Sequence, residues 1–107
     1  MKIFLYEGIN IVLGENKYEN WELLEKSKPE HFFVHLNSFP SAHIVIQNDI
    51  YHENIVKYAG EICKKYSKYK NLKDIKICYC KYENILKGEN IGEIYFKSKR
   101  KVKNMLV

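Results

Sequence analysis

The sequence contains no long hydrophobic run. No apolar segment approaches the roughly 20 residues that a helix needs to span a bilayer. The first ten residues, MKIFLYEGIN, have one lysine and a short apolar stretch, but they lack the long apolar region and small-residue cleavage site of a signal peptide. We therefore expect a cytoplasmic protein without a membrane partner.

Cysteine is also scarce, with three in the chain. An odd number leaves at least one thiol unpaired, which excludes a regular disulfide framework. Cys78 and Cys80 lie two positions apart in an apolar stretch that predicts a strand, so both would point to one face. Their spacing is shorter than that of zinc-binding pairs, and no second pair exists. We expect buried, reduced cysteines and neither a metal nor another cofactor.

Internal repeats and low-complexity linkers are absent as well. A chain of 107 residues with 46% hydrophobic and 29% charged residues is typical of one globular domain. We therefore predict a single domain over residues 1–107, with one hydrophobic core.

Positive charge is concentrated in the second half of the chain. Residues 1–53 contain 4 lysines and 8 acidic residues, a net charge of −4, whereas residues 54–107 contain 14 Lys and Arg and 5 acidic residues, a net charge of +9. A basic half on a small domain favours a polyanion partner. The chain is also rich in Asn, Ile and Tyr, and AT-rich codons alone would supply such a composition, so charge does not by itself select nucleic acid.

The hydrophobic periodicity predicts the order β-β-α-β-β-α-β-β-β. The predicted strands are 2–6, 11–13, 32–36, 43–47, 75–81, 91–97 and 102–107. The first helix follows Asn16, a good N-cap with Glu19 three residues later, and ends before Pro29. The second runs from 53 to about 66. This order predicts an α+β domain with a largely antiparallel sheet and two helices.

Two of the four histidines flank one loop. In the segment FFVHLNSFPSAHIVIQ, His35 is near the end of one predicted strand and His43 begins the next. Together with Ser41 they place hydrogen-bonding groups at a loop rim, where they suit phosphate or 2′-hydroxyl oxygens. Nearby aromatic side chains could stack on bases or could simply belong to the core.

Catalysis is the alternative use of these groups. Ser41 with His35 or His43 would need an acid to orient the imidazole, and the loop contains neither an acid nor a Gly-rich elbow. RNA cleavage by His35 and His43 as a pair stays open. These features favour binding over catalysis without naming the ligand.

Four blocks in register carry a family resemblance. The first is GINIVLGENKYENWELL, with Gly8, Ile11, Gly14, Asn16, Asn20 and Leu23. The second is HFFVHLNSFPSAHIVI, with His35, Pro40, Ser41, Ala42 and His43. The third supplies Ala59, Cys63, Tyr66, Ser67 and Lys68, and the last supplies Ile77, Tyr79, Ile85, Lys87, Gly92 and Ile94. In this order the sequence resembles the NFACT RNA-binding domain, in a stand-alone version.

The resemblance implies an RNA-binding module, with tRNA or ribosomal RNA as ligand and the ribosome as a further partner in translation or ribosome-associated quality control. The predicted RNA-binding residues are His35, Ser41, His43, Lys68, Lys81 and Lys87. The chain departs from the family pattern at His31, Phe33 and Glu15, where the family has an acid, a tryptophan and a basic residue. A DNA-binding or general polyanion-binding module is the alternative that phosphate contacts alone would also permit.

Overall fold

A computed structural model describes residues 1–107 and contains two helices and eight strands. The strands are β1 (Lys2–Tyr6), β2 (Ile9–Leu13), β3 (Phe32–Leu36), β4 (Ile44–Ile46), β5 (Lys76–Lys81), β6 (Ile85–Lys87), β7 (Ile94–Phe96) and β8 (Lys103–Leu106). The helices are α1 (Lys17–Lys26) and α2 (Glu53–Lys65), and short 3-10 helices cover Tyr82–Asn84 and Lys99–Lys101. The predicted α+β class and element order are confirmed, and the structure adds the short strand β6.

Six of the strands form one antiparallel sheet in the order β1-β2-β4-β3-β5-β8, while β6 and β7 form a separate hairpin. Phe33 on β3 lies opposite Val45 on one side and Cys80 on the other, so these three side chains share a face. The alternate residues, such as Val34, point to the opposite face. Both faces of the sheet are apolar and both must be covered.

Helix α2 covers the first face. Its apolar residues recur at spacings of three and four, which places Ile55, Ala59, Ile62 and Cys63 on one side of the helix. They pack on the β3, β4 and β5 residues of that face, and the members of this cluster are at most 6% exposed. Each buried Ile, Leu or Val contributes roughly 1.5–3 kcal/mol to stability. This cluster is the main core of the domain.

Helix α1 and the β6–β7 hairpin cover the second face. Phe33 is fully buried there, and its ring meets those of Tyr82 at 5.5 Å and Phe96 at 6.1 Å, edge to face. Leu23 of α1 and Ile85 of the hairpin complete the layer. The Tyr82 hydroxyl donates to the Ile44 carbonyl at 3.1 Å, so its buried polar end is satisfied. Phe33 is therefore a core residue.

The three cysteines are free and buried. Burial raises the pKa of Cys78 to about 12 and that of Cys80 to about 11. Burial likewise raises the pKa of Cys63 to about 11. All three are therefore protonated thiols near neutral pH and act as small apolar core residues.

The start of α1 is locked to the sheet through Gly14 and Asn20. Asn16 caps the helix by accepting the Glu19 amide at 2.9 Å, as predicted, and Glu19 in turn accepts the Glu15 amide at 2.9 Å. Asn20 is 9% exposed, and its Oδ1 accepts the backbone N–H of His43 at 3.2 Å. A Cβ on Gly14 would lie 2.5 Å from that oxygen. The absence of a side chain at Gly14 thus lets α1 reach His43, the residue just before β4.

Substitution Gly14→Ala is expected to destabilise the domain by about 1–3 kcal/mol, because the new methyl group collides with Asn20 and Leu23. The check is urea denaturation of the wild type, Gly14→Ala, Asn20→Ala and the double variant. The added methyl group should lower the free energy of unfolding by less in the Asn20→Ala background, where the nearest atom, Asn20 Oδ1, is absent. Strictly additive effects would contradict this account of the contact.

Candidate functional site

The pairing of β3 and β4 brings His35 and His43 face to face. Val34 lies opposite Ile44 in the last residue pair of the two strands, and His35 and His43 are the next residue on each side. The ring centroids are 5.1 Å apart and the planes are nearly perpendicular, at 79°. The two histidines singled out in the sequence therefore form one pair on the sheet, next to the loop.

The histidine pair rests on the second core, the apolar layer around Phe33 between the sheet, α1 and the β6–β7 hairpin. The Phe33 ring stacks with His35 at 6.0 Å and meets His43 edge to face at 5.2 Å. His43 is 6% exposed and His35 is half-buried. Burial, with a smaller contribution from the nearby His35, lowers the pKa of His43 to about 3. Burial also lowers the pKa of His35, although backbone hydrogen bonds to Leu36 and Ser41 oppose the shift. Both imidazoles are neutral at pH 7.

A cleft of about 420 Å³ opens over the pair, between the β3–β4 loop and the β6–β7 hairpin. The residues that line it are His35, Leu36, Asn37, Ser38, Phe39, Pro40, His43, Cys78, Gly92, Glu93, Ile94 and Phe96. Its walls are mostly apolar, and no lysine or arginine is among them. The two neutral imidazoles of His35 and His43 therefore lie at the base of a mostly apolar cleft.

Ser41 does not line the histidine cleft. Its hydroxyl accepts the Leu36 amide at 3.0 Å and donates to the Ala42 carbonyl at 3.2 Å. The thiol of Cys63, on α2, donates to the Ser41 hydroxyl oxygen at 3.4 Å. The hydroxyl thus lies on the α2 side of the sheet and closes the loop, whereas the histidines lie on the other side. The three predicted side chains do not share one surface, and a role for Ser41 in RNA binding stays a prediction.

The three predicted lysines differ in their surroundings. Lys68 is exposed and makes no ion pair. Its neighbour Tyr69 packs on Phe39 with ring centroids 4.5 Å apart, which holds the segment after α2 against the β3–β4 loop. Lys68 is thus a free cation in a segment that touches the loop.

Lys81 and Lys87 are engaged within the protein. The Lys81 ammonium donates to the carbonyls of Glu30, at 2.7 Å, and Asp49, and it lies 4.1 Å from the centre of the Phe32 ring. Lys87 pairs with Glu25 and lies 4.8 Å from the centre of the Trp21 ring. These contacts give both lysines a structural function, and an RNA contact would have to compete with them.

Other lysines near the loop were missed as candidates. Three of them, Lys64, Lys65 and Lys70, line a shallow depression of about 430 Å³ at the end of α2. Lys2 and Lys17 line a second one, of about 290 Å³, together with Ser41 and Asn20. The signal for the first group is visible in the sequence, because KKYSKYKNLK places five lysines in ten residues.

The position at which the family has a basic residue is Glu15. Its carboxylate lies 4.0 Å from the Lys2 ammonium, so the acid offsets one of the cations of this second depression. His31, a second departure, is half-buried at the opposite end of β3 and lines a different groove. Neither Glu15 nor His31 lines the histidine cleft, whereas the third departure, Phe33, packs directly against both histidines.

No three His, Cys, Asp or Glu side chains come together in a group able to hold a metal ion. Neither α1 nor α2 combines the length and the apolar character that a membrane-crossing helix requires.

The fold and the site together define a small α+β domain with a mostly apolar cleft that has no basic residue. Beside the cleft lies a lysine-rich margin, which includes Lys64, Lys65, Lys68 and Lys70. The chain belongs to the family of NFACT protein RNA binding domains, whose model matches residues 3–98 of the 107. This confirms the resemblance read from the sequence motifs.

A solved structure shares the fold. The C-terminal part of the fibronectin/fibrinogen-binding protein from Streptococcus suis superposes with a TM-score of 0.87 at 22% sequence identity. The match covers 98% of this chain and 43% of that chain, so this chain spans less than half of the solved one. A comparison with curated proteins gave no match.

The buried neutral state of His43 predicts a dependence of stability on pH. In the unfolded chain His43 takes up a proton near its ordinary pKa of 6.5, whereas the folded protein resists protonation down to about pH 3. Its stabilising contribution is therefore complete above pH 6.5 and is lost as the pH falls towards 3. Between pH 6.5 and 5, the wild type should lose about 2 kcal/mol more than His43→Gln.

Urea denaturation at both pH values measures this difference. The matched control is His52→Gln, which removes an exposed histidine. That variant should follow the wild type. Equal losses of stability in the wild type and His43→Gln would show that His43 does not titrate in the way its burial indicates.

Proposed function

We propose that this domain binds RNA, and that tRNA or ribosomal RNA is the ligand, in translation or ribosome-associated quality control. We further propose that it is a cytoplasmic binding module and not an enzyme. Its membership of a family of RNA-binding domains supports the ligand class. The observation that carries the proposal is the collection of unpaired lysines around the β3–β4 loop.

The topology explains why these lysines gather. Leu36, the last residue of β3, pairs with Ile77 near the start of β5, so Lys76 lies at the loop end of the sheet. The Asn37 amide donates to the Lys76 carbonyl at 2.9 Å, which joins the loop to β5 directly. The chain reaches β5 from the end of α2, and the contact between the tilted rings of Tyr69 and Phe39 keeps this connection against the loop. Cations from separate segments therefore border one end of the sheet.

These cations are available to a ligand. The side chains of Lys64, Lys65, Lys68, Lys70, Lys73 and Lys76 take part in none of the ion pairs of the domain, which involve Lys2, Lys26, Lys87 and the N-terminal ammonium. An unpaired surface ammonium can neutralise a phosphate and release its counterions without first breaking an internal bond. The affinity of such a surface depends strongly on salt.

The protonation state of the histidines favours binding over RNA cleavage. A pair that cleaves RNA needs one protonated and one neutral imidazole near the working pH. Burial lowers the pKa values of both His35 and His43, so neither is a ready proton donor at pH 7. The purified domain should leave end-labelled RNA intact over a long time course. Cleavage that disappears in His43→Ala would overturn this part of the proposal.

For binding itself, the decisive variants are Lys68→Ala and Lys70→Ala, with Lys101→Ala as the matched control. Lys101 carries the same charge but precedes β8, at the far end of the sheet from the loop. Each loop-end variant should weaken tRNA binding and reduce the slope of log K against log salt by about 1. Lys101→Ala should change neither quantity appreciably. Fluorescence anisotropy with labelled tRNA at several salt concentrations measures both.

Lys81→Ala separates structural from binding effects. Because the Lys81 ammonium donates to two backbone carbonyls, we expect the Lys81→Ala substitution to lower the free energy of unfolding by about 1–2 kcal/mol.

Competition with duplex DNA tests the rival function, general polyanion binding. If DNA displaces labelled tRNA as effectively as unlabelled tRNA does, the domain binds phosphate chains in general. Binding of tRNA without salt dependence would contradict the electrostatic proposal.

A further inference from the structure

The cleft over the histidine pair and the lysine-rich margin have opposite character. The cleft has aromatic and aliphatic walls and neutral imidazoles, and Glu93 is its one charged residue. An acidic group and the absence of cations make this a poor site for phosphate. The lysines of the loop end lie outside it. A ligand that uses both surfaces must therefore present an apolar, flat group next to an anionic chain.

We infer that the cleft receives an unpaired nucleobase of the bound RNA, while the sugar–phosphate backbone stays outside among the lysines. The inference rests on the proposed function, which it sharpens from RNA in general to RNA with accessible single-stranded bases. Its support is the position of the histidine pair at the base of an apolar cleft between two chain segments.

The size and chemistry of the cleft suit a base. Its volume of about 420 Å³ lies within the range of sites for small molecules, roughly 300–1,000 Å³. Half-buried Phe96 and Phe39 on opposite walls offer apolar surface to the faces of a base. The half-buried imidazole of His35 is neutral, and its N–H is used by the backbone hydrogen bonds to Leu36 and Ser41, so the other ring nitrogen is an acceptor for the edge of a base. His43 lies deeper and supports His35 from below.

The cleft is held in shape before any ligand arrives. On the hairpin side, the Trp21 indole N–H donates to the Glu93 carbonyl at 2.9 Å and ties the hairpin to α1. Gly92 has a φ of +87°, and a Cβ there would lie 2.6 Å from the Cβ of Lys17, so the turn is seated directly on the helix. On the loop side, the Ser41 hydrogen bonds and the contact between the Phe39 and Tyr69 rings fix the other wall. A preformed cleft loses little entropy when it binds.

The test compares two ligands with equal numbers of phosphates: a 12-nucleotide single-stranded RNA of mixed sequence and the same ribose–phosphate chain without bases. The wild type should bind the complete RNA about 5- to 100-fold more tightly, the range that stacking of a base supplies. Phe96→Leu and His35→Ala should bring this ratio close to one and leave binding of the abasic chain unchanged. Phe4→Leu, which alters a half-buried phenylalanine on the α2 face, is the matched control and should keep the ratio.

The outcomes separate this inference from the proposed function. If both chains bind equally well and with strong salt dependence, RNA binding stands and the base site is wrong. If the ratio is high but survives both cleft variants, bases are read elsewhere and the inference fails. If neither chain binds, the proposed function itself fails. Circular dichroism verifies folding, and quenching of 2-aminopurine in the 12-mer by the wild type, lost on addition of unlabelled 12-mer, tests base stacking without any variant.

Discussion

β3 and β4 pair so that Phe33 lies opposite Val45, and two residues further along β3 the ring of His35 meets that of His43. This register decides which side chains enter the second core and which remain at its edge. A shift of β3 by one residue would send Phe33 and His35 to the α2 face and separate His35 from His43. The same pairing requires a loop between residues 36 and 44, and that loop is the structure around which the lysines gather.

The electrostatics of the site follow from this arrangement. The imidazoles sit on a fully buried aromatic ring, so burial keeps them neutral, whereas the lysines emerge from the end of a helix and from a connector exposed to water. A cleft without positive charge beside a cationic margin divides recognition into two parts. In the binding mode proposed above, contacts to phosphates provide affinity that does not depend on sequence, and the cleft provides the contacts to a base.

The motifs shared with the family act mainly through packing. Gly14 and Asn20 bring α1 against His43, just before β4, and Gly92 lets the hairpin pack on the start of α1. Ser41 closes the loop from the opposite side of the sheet. These residues touch the site indirectly, by fixing the walls of the cleft. Family motifs of this kind identify the fold strongly and identify the ligand-contacting atoms weakly.

The sequence by itself determined the α+β class, both helices, the cap at Asn16, the reduced cysteines and the neighbourhood of the two histidines. These features depend on local periodicity and on strands joined by one short loop, and both are visible in a linear chain. It missed β6, whose three residues are too few to show a period.

Only the tertiary structure decided the roles of individual polar groups. Lys81 reaches carbonyls at Glu30 and Asp49, Lys87 reaches Glu25, and the Ser41 hydroxyl turns towards Cys63 on α2. The three lysine contacts join residues more than 30 positions apart, and the Ser41 contact spans 22. A side chain's partners at such separations depend on how the layers pack, and hydrogen-bonding capacity alone does not reveal them.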